Sequence, residues 1–349
     1  MDILELFDAA VENKASDMIL TEDTPPTLRI DGDLHTIGNR PMDSETVKEL
    51  VYSILEKPQI ARFEKEKELD FSFTLRKEHR FRGNLYYQRG SVGGAFRLIP
   101  NKIPRIDELN LPQYLLKVCE RKNGLFLITG ATGMGKSTTL AAMIGEINRT
   151  RNCHVVTVED PIEFIHENDR SVIDQREVGE DTHSFATAIR NSLRQSPDVI
   201  LVGEMRDLDT IAAAITAAET GHLVLATLHT RDSSKSIDRI IDSFPSHQQN
   251  QIREQLSISL LGVLSQRLFP IPDLPGRIVA TELLINNSAI SHLIRDRKVF
   301  QIRSVLETHG KEEMHTFEAS ITKLVKKGLV YREDAEAFLG KDVANKLAR

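Results

Sequence analysis

The segment Gly130-Ala-Thr-Gly-Met-Gly-Lys-Ser137 constrains this chain more than any other part of its sequence. It matches the pattern G-x-x-x-x-G-K-[ST], follows the apolar run 125–129 and precedes a run of helical character, 138–147. Glycines let backbone N–H groups converge on phosphate oxygens, and the N-terminus of the following helix adds its dipole. The pattern therefore predicts a strand, a phosphate-binding loop and a helix in direct succession.

ATP and Mg²⁺ are the cofactors expected at this loop. Lys136 should reach the β- and γ-phosphates, and the hydroxyl of Ser137 should ligate Mg²⁺. The other residues expected around the phosphates are Gly130, Thr132, Gly133, Met134, Gly135 and Thr138.

A second segment, Asp198-Val-Ile-Leu-Val-Gly-Glu204, predicts a buried strand that delivers an acid to the magnesium side of the phosphates. Most P-loop NTPases place an Asp directly at the end of this strand. Here Gly203 intervenes, so Glu204 takes the position and is expected to hold Mg²⁺ through water. A core strand that ends at a surface glutamate is the alternative.

Three acids follow the predicted strand 154–158, namely Glu159, Asp160 and Glu163. Pro161 ends the strand, so the acids should lie on a turn at the carboxyl edge of a parallel sheet, where such sheets bind ligands. ATP hydrolysis needs a carboxylate that orients the attacking water. We assign this role to Glu163, with Glu159 and Asp160 supporting the loop or the water shell of the metal. A solvated acidic turn is equally compatible with the sequence.

Two histidines and three arginines are further candidates. His222 and His229 bracket a predicted strand whose ends lie about 20 Å apart, which argues against a shared metal ion. One or both would sense the γ-phosphate, or they are structural. Arg80, Arg82 and Arg97 lie on predicted strands of the first domain, either as γ-phosphate contacts or as a solvated strand face.

The predicted organisation has four parts: an α+β domain (1–98), a linker with three prolines (99–112), an α/β core (113–286) and a helical region (287–349). Short apolar strands alternate with helices in the core, which implies a parallel sheet covered on both faces. The predicted core strands are 125–129, 154–158, 199–202 and 223–227. In the first domain, a helix (43–55) and strands 27–30, 34–37, 70–75, 80–88 and 92–98 are predicted, with a turn at Asp31-Gly32-Asp33.

Charge and composition narrow the function classes. The chain has 45 Lys and Arg against 51 Asp and Glu, so it lacks the overall positive charge that attracts nucleic acid. It also has no Trp, so no indole ring is available to stack on bases. A nucleic-acid translocase and a non-catalytic nucleotide sensor remain the alternatives to a mechanical ATPase. The acidic start is unlike a signal peptide, and the longest apolar run, 211–228, is interrupted by Glu219 and His222. We expect a cytoplasmic protein without a transmembrane segment.

Four segments occur in an order that resembles the type II/IV secretion ATPase family. The phosphate loop, Val158-Glu-Asp-Pro-Ile-Glu163, Gly203-Glu-Met-Arg-Asp207 and Thr220 to Thr230 look like its Walker A, Asp box, Walker B and His box. Within the family, the similarity is greatest to the motors that retract type IV pili. Extension motors usually carry a longer N-terminal region and a tetracysteine zinc site, whereas this sequence has two cysteines.

The resemblance implies a homo-hexameric ring built from an N-terminal PAS-like α+β domain and a RecA-like P-loop ATPase domain with a C-terminal helical extension. It implies nucleotide-driven domain movement, a pilus platform protein in the inner membrane as partner, a location at the cytoplasmic face of that membrane, and no nucleic acid. It also implies functional roles for Lys136, Ser137, Glu163, Glu204, His222, His229, Arg80, Arg82 and Arg97.

Three departures from the family pattern stand out. Met134 replaces the usual Ser, and Arg231-Asp-Ser-Ser234 follows Thr230 where Asn-Ser-Ala is typical. The retraction motors carry Ala-Ile-Arg-Asn-Leu-Ile-Arg-Glu, but this chain has Ala289-Ile-Ser-His-Leu-Ile-Arg-Asp296. An accessory motor of the same group, or a related secretion ATPase, is therefore the alternative to a retraction motor.

Overall fold

The computed structural model describes residues 2–30, 32–76, 79–99, 102–308 and 313–340. The chain divides after Lys102 into two compact units. Asp31 of the predicted turn, Pro100 and Asn101 of the predicted linker, and residues 309–312 and 341–349 of the predicted helical region lie outside the described residues. The four-part boundaries stay a prediction.

Within the described residues, the first unit combines three helices with a six-stranded antiparallel sheet. Its elements are α1 (Ile3–Glu12), β1 (Asp17–Leu20), β2 (Thr27–Ile30), β3 (Asp33–Thr36), α2 (Ser44–Tyr52), α3 (Lys57–Glu66), β4 (Glu68–Leu75), β5 (His79–Gln88) and β6 (Ser91–Ile99). The strand order is β3-β2-β1-β6-β5-β4. The α+β class predicted for this part of the chain is confirmed, and α1, β1 and α3 add to the predicted elements.

Aromatic packing holds α1 on this sheet. The ring of Phe7 is fully buried, with its centroid 4.7 Å from that of Phe81 and 5.2 Å from that of Phe96. Burying one phenylalanine side chain contributes about 1.5–3 kcal/mol. Gly83 on β5 leaves room for another ring of this core, because a Cβ atom there would lie 2.5 Å from Cε1 of Phe71.

The second unit surrounds a larger sheet. Its strands are β7 (Gly124–Thr129), β8 (His154–Glu159), β9 (Val172–Glu177), β10 (Val199–Val202), β11 (Leu223–Leu228), β12 (Leu260–Pro270) and β13 (Arg277–Ile285). Its helices are α4 (Tyr114–Cys119), α5 (Lys136–Thr150), α6 (Phe185–Ser192), α7 (Leu208–Glu219), α8 (Ser233–Asp242), α9 (Gln249–Ser259), α10 (Ser288–Arg295), α11 (Ile302–Thr308), α12 (Phe317–Lys326) and α13 (Arg332–Leu339).

The strand order of this sheet is β13-β12-β7-β11-β10-β8-β9. The strands from β12 to β9 are parallel, whereas β13 runs antiparallel to β12. The predicted parallel sheet is confirmed for the strands from β12 to β9, and β13 adds an antiparallel strand at one edge. β9, β12 and β13 extend the four predicted strands. β12 and β13 form a hairpin, which needs no crossover helix and so allows the antiparallel pair.

Helices cover both faces of this sheet, as predicted. Phe126 and Ile128 of β7 belong to the buried cluster that includes α5. Leu125 and Leu127 belong to the cluster on the other side, which includes α7. Successive side chains of a strand point to opposite faces, so a strand buried on both faces reads as the continuous apolar run that the sequence shows.

The chain after β13 is mainly helical in its described parts, and His315 forms an isolated β-bridge with Leu283. Helices α12 and α13 pack on the β12–β13 hairpin through a separate small core that includes Phe269, Phe317 and Phe338. None of the helices in the described ranges combines the length and the apolar character needed to cross a lipid bilayer.

Candidate active site

Five parallel strands of the second unit, β7 to β11, end at one edge of the sheet, here called the carboxyl edge. The register places Thr129 of β7 beside Leu228 of β11 and Val202 of β10 beside Val158 of β8. Because parallel strands deliver their following loops to the same edge, the segments after β7, β8, β10 and β11 are neighbours. Apart from His222 and the three arginines of the first unit, each predicted site residue lies at the end of one of these strands or in the segment that follows it.

The loop between β7 and α5 has the backbone geometry of a phosphate site. Gly130, Gly133 and Gly135 have φ angles of 147°, 77° and 82°, values that residues with a Cβ atom rarely adopt. Gly135 is the N-cap of α5, so the unpaired N–H groups of the first helical turn face the loop. Such a loop is suited to bind an anion.

Lys136 is the first residue of α5 and is only 9% exposed. Its Nζ donates hydrogen bonds to the carbonyl oxygens of Gly130 at 2.8 Å and Ala131 at 3.0 Å. Burial lowers the pKa of Lys136, and the opposing effect of the Glu204 and Glu163 carboxylates does not cancel it. The ammonium group therefore lies within electrostatic range of two predicted catalytic acids.

Ser137 and Thr138 follow in the first turn of α5, and both are half-buried. Thr132 lies at the exposed tip of the loop, with Oγ1 3.4 Å from Nδ1 of His229. Met134 is half-buried and turns its sulfur toward β12, a contact that the sequence did not predict.

Glu204 lies between two cationic or polar partners. Its Oε1 is 3.0 Å from Nε2 of His229, and its Oε2 accepts a hydrogen bond from the guanidinium of Arg206 at 2.8 Å. Burial raises the pKa of Glu204, but the hydrogen bonds and charges of Arg206 and His229 outweigh it, so the pKa lies below its ordinary value. The carboxylate is ionised at neutral pH and can bind a cation.

The three acids after β8 occupy different environments. Burial raises the pKa of Glu159 above its ordinary value, despite hydrogen bonds to its Oε1 from Thr157 at 2.7 Å and Gln175 at 3.2 Å. Asp160 is exposed, and its charge acts on Arg206. Glu163 is half-buried, and its charge acts on Lys136. Of the three, Glu163 is the acid whose charge acts on the lysine of the phosphate loop.

Gln175 of β9 fixes the acidic turn and was not predicted from the sequence. Its Nε2 donates to the carbonyl oxygen of Phe164 at 2.8 Å as well as to Glu159, and its Oε1 accepts from the backbone N–H of His166 at 2.8 Å. One amide side chain therefore ties both ends of the turn to β9.

The two predicted histidines lie at opposite ends of β11. His229 follows its last residue and joins Glu204 at the carboxyl edge. His222 precedes its first residue, and its Nδ1 lies 3.0 Å from the carbonyl oxygen of Ala217 near the end of α7. Within one chain, His222 is thus remote from the phosphate loop, and the structure gives it a helix-terminating contact.

The predicted arginines of the first unit share one face of its sheet. Arg82 and Arg97 are directly opposite each other on β5 and β6. Arg97 is 2.9 Å from Asp17, Arg82 is 3.9 Å from Asp70, and Arg80 donates to Ser72. Acidic or hydroxyl side chains thus partner all three arginines of this face.

Two further cations at the site were not predicted as functional. Arg206 pairs with Glu204. It follows that acid by two residues in the segment Gly203-Glu-Met-Arg-Asp207, and this short spacing is the sequence feature that could have indicated the pair. Arg277, the first residue of β13, donates to the carbonyl oxygen of Gly133 at 3.3 Å. Nothing in the local sequence around Arg277 indicates this contact, because it depends on the packing of distant strands.

Comparison with known proteins places this site in a family context. The model of the family described as "Type II/IV secretion system protein" matches residues 2–336. The type IV pilus retraction ATPase PilT of Pseudomonas aeruginosa is 45% identical over 335 residues, which cover 96% of this chain and 97% of that protein. The type IV pilus ATPase PilU of the same organism is 38% identical over 347 residues, with 99% and 90% covered.

The fold is also that of a solved relative. The crystal structure of the pilus retraction motor PilT with bound ADP is similar at a TM-score of 0.92 and 46% sequence identity, over 98% of both chains. The similarity therefore extends over both units and includes the segments at the carboxyl edge.

Proposed function

Because the chain belongs to the type II/IV secretion system protein family, we propose that it is an ATP-hydrolysing hexameric motor that powers the retraction of type IV pili. The similarity to PilT over nearly the whole of both chains supports this assignment. The observation that carries the ATPase chemistry is the position of Lys136, which contacts the phosphate loop and lies in the field of Glu204 and Glu163.

The phosphate loop would bind ATP through its backbone. Amide groups from Gly130 to Thr138 would surround the phosphates, and Lys136 would exchange its two carbonyl partners for β- and γ-phosphate oxygens. Thr132 at the tip would contact the γ-phosphate side, next to His229.

Magnesium fits the groups that face the loop. The hydroxyl of Ser137 and the ionised carboxylate of Glu204 are oxygen donors, which Mg²⁺ prefers while retaining several waters. When bound, Mg²⁺ would neutralise charge on the β- and γ-phosphates. Arg206 and His229 fix both oxygens of Glu204, so Glu204 is expected to act through a metal-bound water.

Hydrolysis would use Glu163 to orient the attacking water and accept its proton. Glu159 would hold the turn in place through Thr157 and Gln175 rather than act on the water, and Asp160 would hold Arg206 electrostatically. His229 would report the loss of the γ-phosphate, because it contacts both the loop tip and Glu204.

In the hexamer, the arginine face of the first unit, formed by Arg80, Arg82 and Arg97, would provide γ-phosphate contacts and so couple ATP binding to domain movement. His222 would have a structural role or would contact another subunit. The force would act on a pilus platform protein of the inner membrane, with the motor at the cytoplasmic face of that membrane.

An accessory role beside another retraction motor is the second candidate. Ser291 stands where retraction motors of the family carry the first arginine of their C-terminal motif, and its hydroxyl donates to the carbonyl oxygen of Ser257 at 2.8 Å. Where the retraction motors have an arginine side chain, this chain thus has a serine hydroxyl that bonds to its own backbone. The loss would leave ATP hydrolysis intact while weakening a contact that retraction needs.

The first experiment measures ATPase rate against protein concentration, with mass determined by light scattering in the same samples. Activity that rises as a species near six times 39.3 kDa forms would support the ring motor. Full activity in a monomer would refute the ring mechanism. Stimulation by DNA would instead favour a nucleic-acid translocase.

A second experiment separates retraction from an accessory role. The gene is expressed in a type IV piliated strain that lacks its retraction ATPase, and twitching motility is measured. Restored motility supports an autonomous retraction motor. Two results together support the accessory role. Motility with the wild-type chain appears only when a second motor is also present, and the Ser291→Arg variant restores motility without that second motor.

A further inference from the structure

Strand β12 extends beyond the end of its neighbour β7. The two strands pair as far as Ser265 and Thr129, whose hydroxyl oxygens lie 2.8 Å apart. β12 then continues to Pro270, paired on its other side with β13. The stretch 266–270 is here called the overhang. On the side of β7 it has no strand partner within the described part of the chain, because β7 ends at Thr129 and the chain continues there as the phosphate loop.

The phosphate loop lies on this overhang at its first glycine. A Cβ atom on Gly130 would lie 2.6 Å from the carbonyl oxygen of Gln266. Gln266 also donates from Nε2 to Oγ1 of Thr139 at 2.8 Å, in the second turn of the helix that follows the loop. Backbone and side chain of one overhang residue thus contact both ends of the phosphate site.

Two side-chain contacts hold the outer half of the loop. The sulfur of Met134 accepts a hydrogen bond from the backbone N–H of Leu268 on the overhang at 3.4 Å. The guanidinium of Arg277, at the start of β13, donates to the carbonyl oxygen of Gly133 at 3.3 Å. Both contacts join adjacent loop residues to the β12–β13 hairpin.

We propose that Met134 and Arg277 are positioning residues that hold the phosphate loop on the β12–β13 hairpin before nucleotide binds. The proposal rests on the ATPase function proposed above, and concerns side chains to which the phosphate-loop pattern assigns no role. A methionine at this position supplies an acceptor that can follow an irregular path, because its side chain is unbranched and its sulfur is polarisable.

The physical effect is a lower ordering cost on binding. The three loop glycines give the segment 130–135 many accessible conformations, and binding must select the one in which the N–H groups converge. Bonds within the loop, from Lys136 to Gly130 and Ala131, fix its first half. The hairpin contacts fix the second half, so less conformational entropy is lost when phosphate binds.

The hairpin is itself held from its other side. The guanidinium of Arg267 lies over the ring of Phe338 in α13, 4.5 Å from its centroid, and over Phe269 at 5.6 Å. This stacking fixes the overhang to the C-terminal helices, so the loop rests on a support with its own core.

The test compares the full-length chain with Met134→Leu, Arg277→Gln and the double variant. Leucine keeps the apolar volume but removes the acceptor for the Leu268 N–H. We expect each single change to raise the Kd of a fluorescent ADP analogue about two- to fivefold, because binding must then order the part of the loop that the lost contact held. Arg277→Lys should recover most of the affinity.

Met143→Leu is the matched control, a methionine in the buried face of α5 outside the loop. It should bind the ADP analogue like wild type. Hydrogen exchange of residues 130–135 without nucleotide is the second readout, and it should be faster in Met134→Leu and Arg277→Gln but not in the control.

Unchanged Kd and unchanged exchange in both loop variants would refute the positioning role while leaving the ATPase proposal intact. A fall in kcat with unchanged Kd would also contradict it. If wild type neither binds ADP nor hydrolyses ATP, the proposed function fails, and the exchange measurement alone decides whether the hairpin holds the loop.

Discussion

His229 and Glu204 form a close pair at the carboxyl edge, with Nε2 of the imidazole 3.0 Å from Oε1 of the carboxylate. The two residues follow adjacent parallel strands, so the sheet itself sets their separation. The other ring nitrogen of His229 faces Thr132 of the phosphate loop. One imidazole therefore connects the nucleotide loop to the predicted metal-side acid.

Replacing His229 should separate catalysis from binding. In His229→Ala, Oε1 of Glu204 loses its partner while Arg206 still holds Oε2. We expect kcat to fall by about ten- to hundredfold, as for other residues that orient a metal-side ligand, with the Kd for ADP within about threefold. Steady-state ATPase kinetics and ADP titration measure both. His35→Ala, on the exposed strand β3, is the control, and wild-type turnover in His229→Ala would exclude the role.

Replacing Glu163 should abolish turnover and preserve ATP binding. Glu163→Gln keeps the size of the side chain but cannot accept a proton, so kcat should fall by at least about a hundredfold. Binding of ATP should persist, because Lys136 and the loop amides are untouched. The matched control is Glu167→Gln, an exposed glutamate of the same segment. Undiminished turnover would remove Glu163 from its proposed role.

His166 should make stability depend on pH. Burial lowers the pKa of His166 from 6.5 to about 4 in the folded chain. Between these values the unfolded chain binds a proton that the folded chain does not, so the free energy of unfolding is fully present above pH 6.5 and falls as the pH drops toward 4. The loss is of the order of 3 kcal/mol.

Urea unfolding at pH values from neutral to acidic tests this expectation. The variant His166→Phe keeps an aromatic ring but cannot bind the proton, so its stability should decline less steeply than that of wild type. His247→Phe, at an exposed position, should retain the wild-type decline. Identical pH profiles for wild type and His166→Phe would show that the imidazole is not buried in solution.

Ser233 should stabilise the start of α8 through β13. Its hydroxyl donates to Oε1 of Glu282 at 2.6 Å, and its backbone N–H donates to the same oxygen at 3.0 Å. Ser233→Ala introduces the residue typical of the family and removes a hydrogen bond to a charged group, which should lower the free energy of unfolding by about 1.5–3 kcal/mol.

The control for this prediction is Ser234→Ala, one residue further in the same helical turn and half-exposed. The free energies of unfolding of the two variants, measured by denaturant titration, should differ by most of the loss expected for Ser233→Ala. Equal stability of Ser233→Ala and wild type would mean that the Glu282 contact contributes nothing in water.

The phosphate loop was predictable because its determinants are local. Glycines, lysine and serine at fixed spacing between a strand and a helix are read from eight consecutive residues, and Glu204 follows from a short buried strand. The predicted pattern of strands 125–129, 154–158, 199–202 and 223–227 agrees with β7, β8, β10 and β11 to within one residue at each end.

The remaining strands were not predictable for a physical reason. β9 has the mixed sequence Val172-Ile-Asp-Gln-Arg-Glu177 and is exposed on its outer side, so it lacks the continuous apolar run of a central strand. β12 follows α9 without a break, and an apolar run that continues a helix is ambiguous between the two structures. Gln175 reaches the acidic turn only because β9 pairs with β8, and Arg277 reaches the phosphate loop only because β13 pairs with β12.

The overhang of β12 serves two sides of the unit at once. Gln266 faces α5, whereas Arg267 and Phe269 face the C-terminal helices. Because side chains alternate along a strand, inserting or deleting one residue after Ser265 would exchange the two sets. We therefore expect changes of length to be tolerated in the hairpin tip, 271–276, whereas an insertion or deletion within the overhang should disrupt the contacts on both sides.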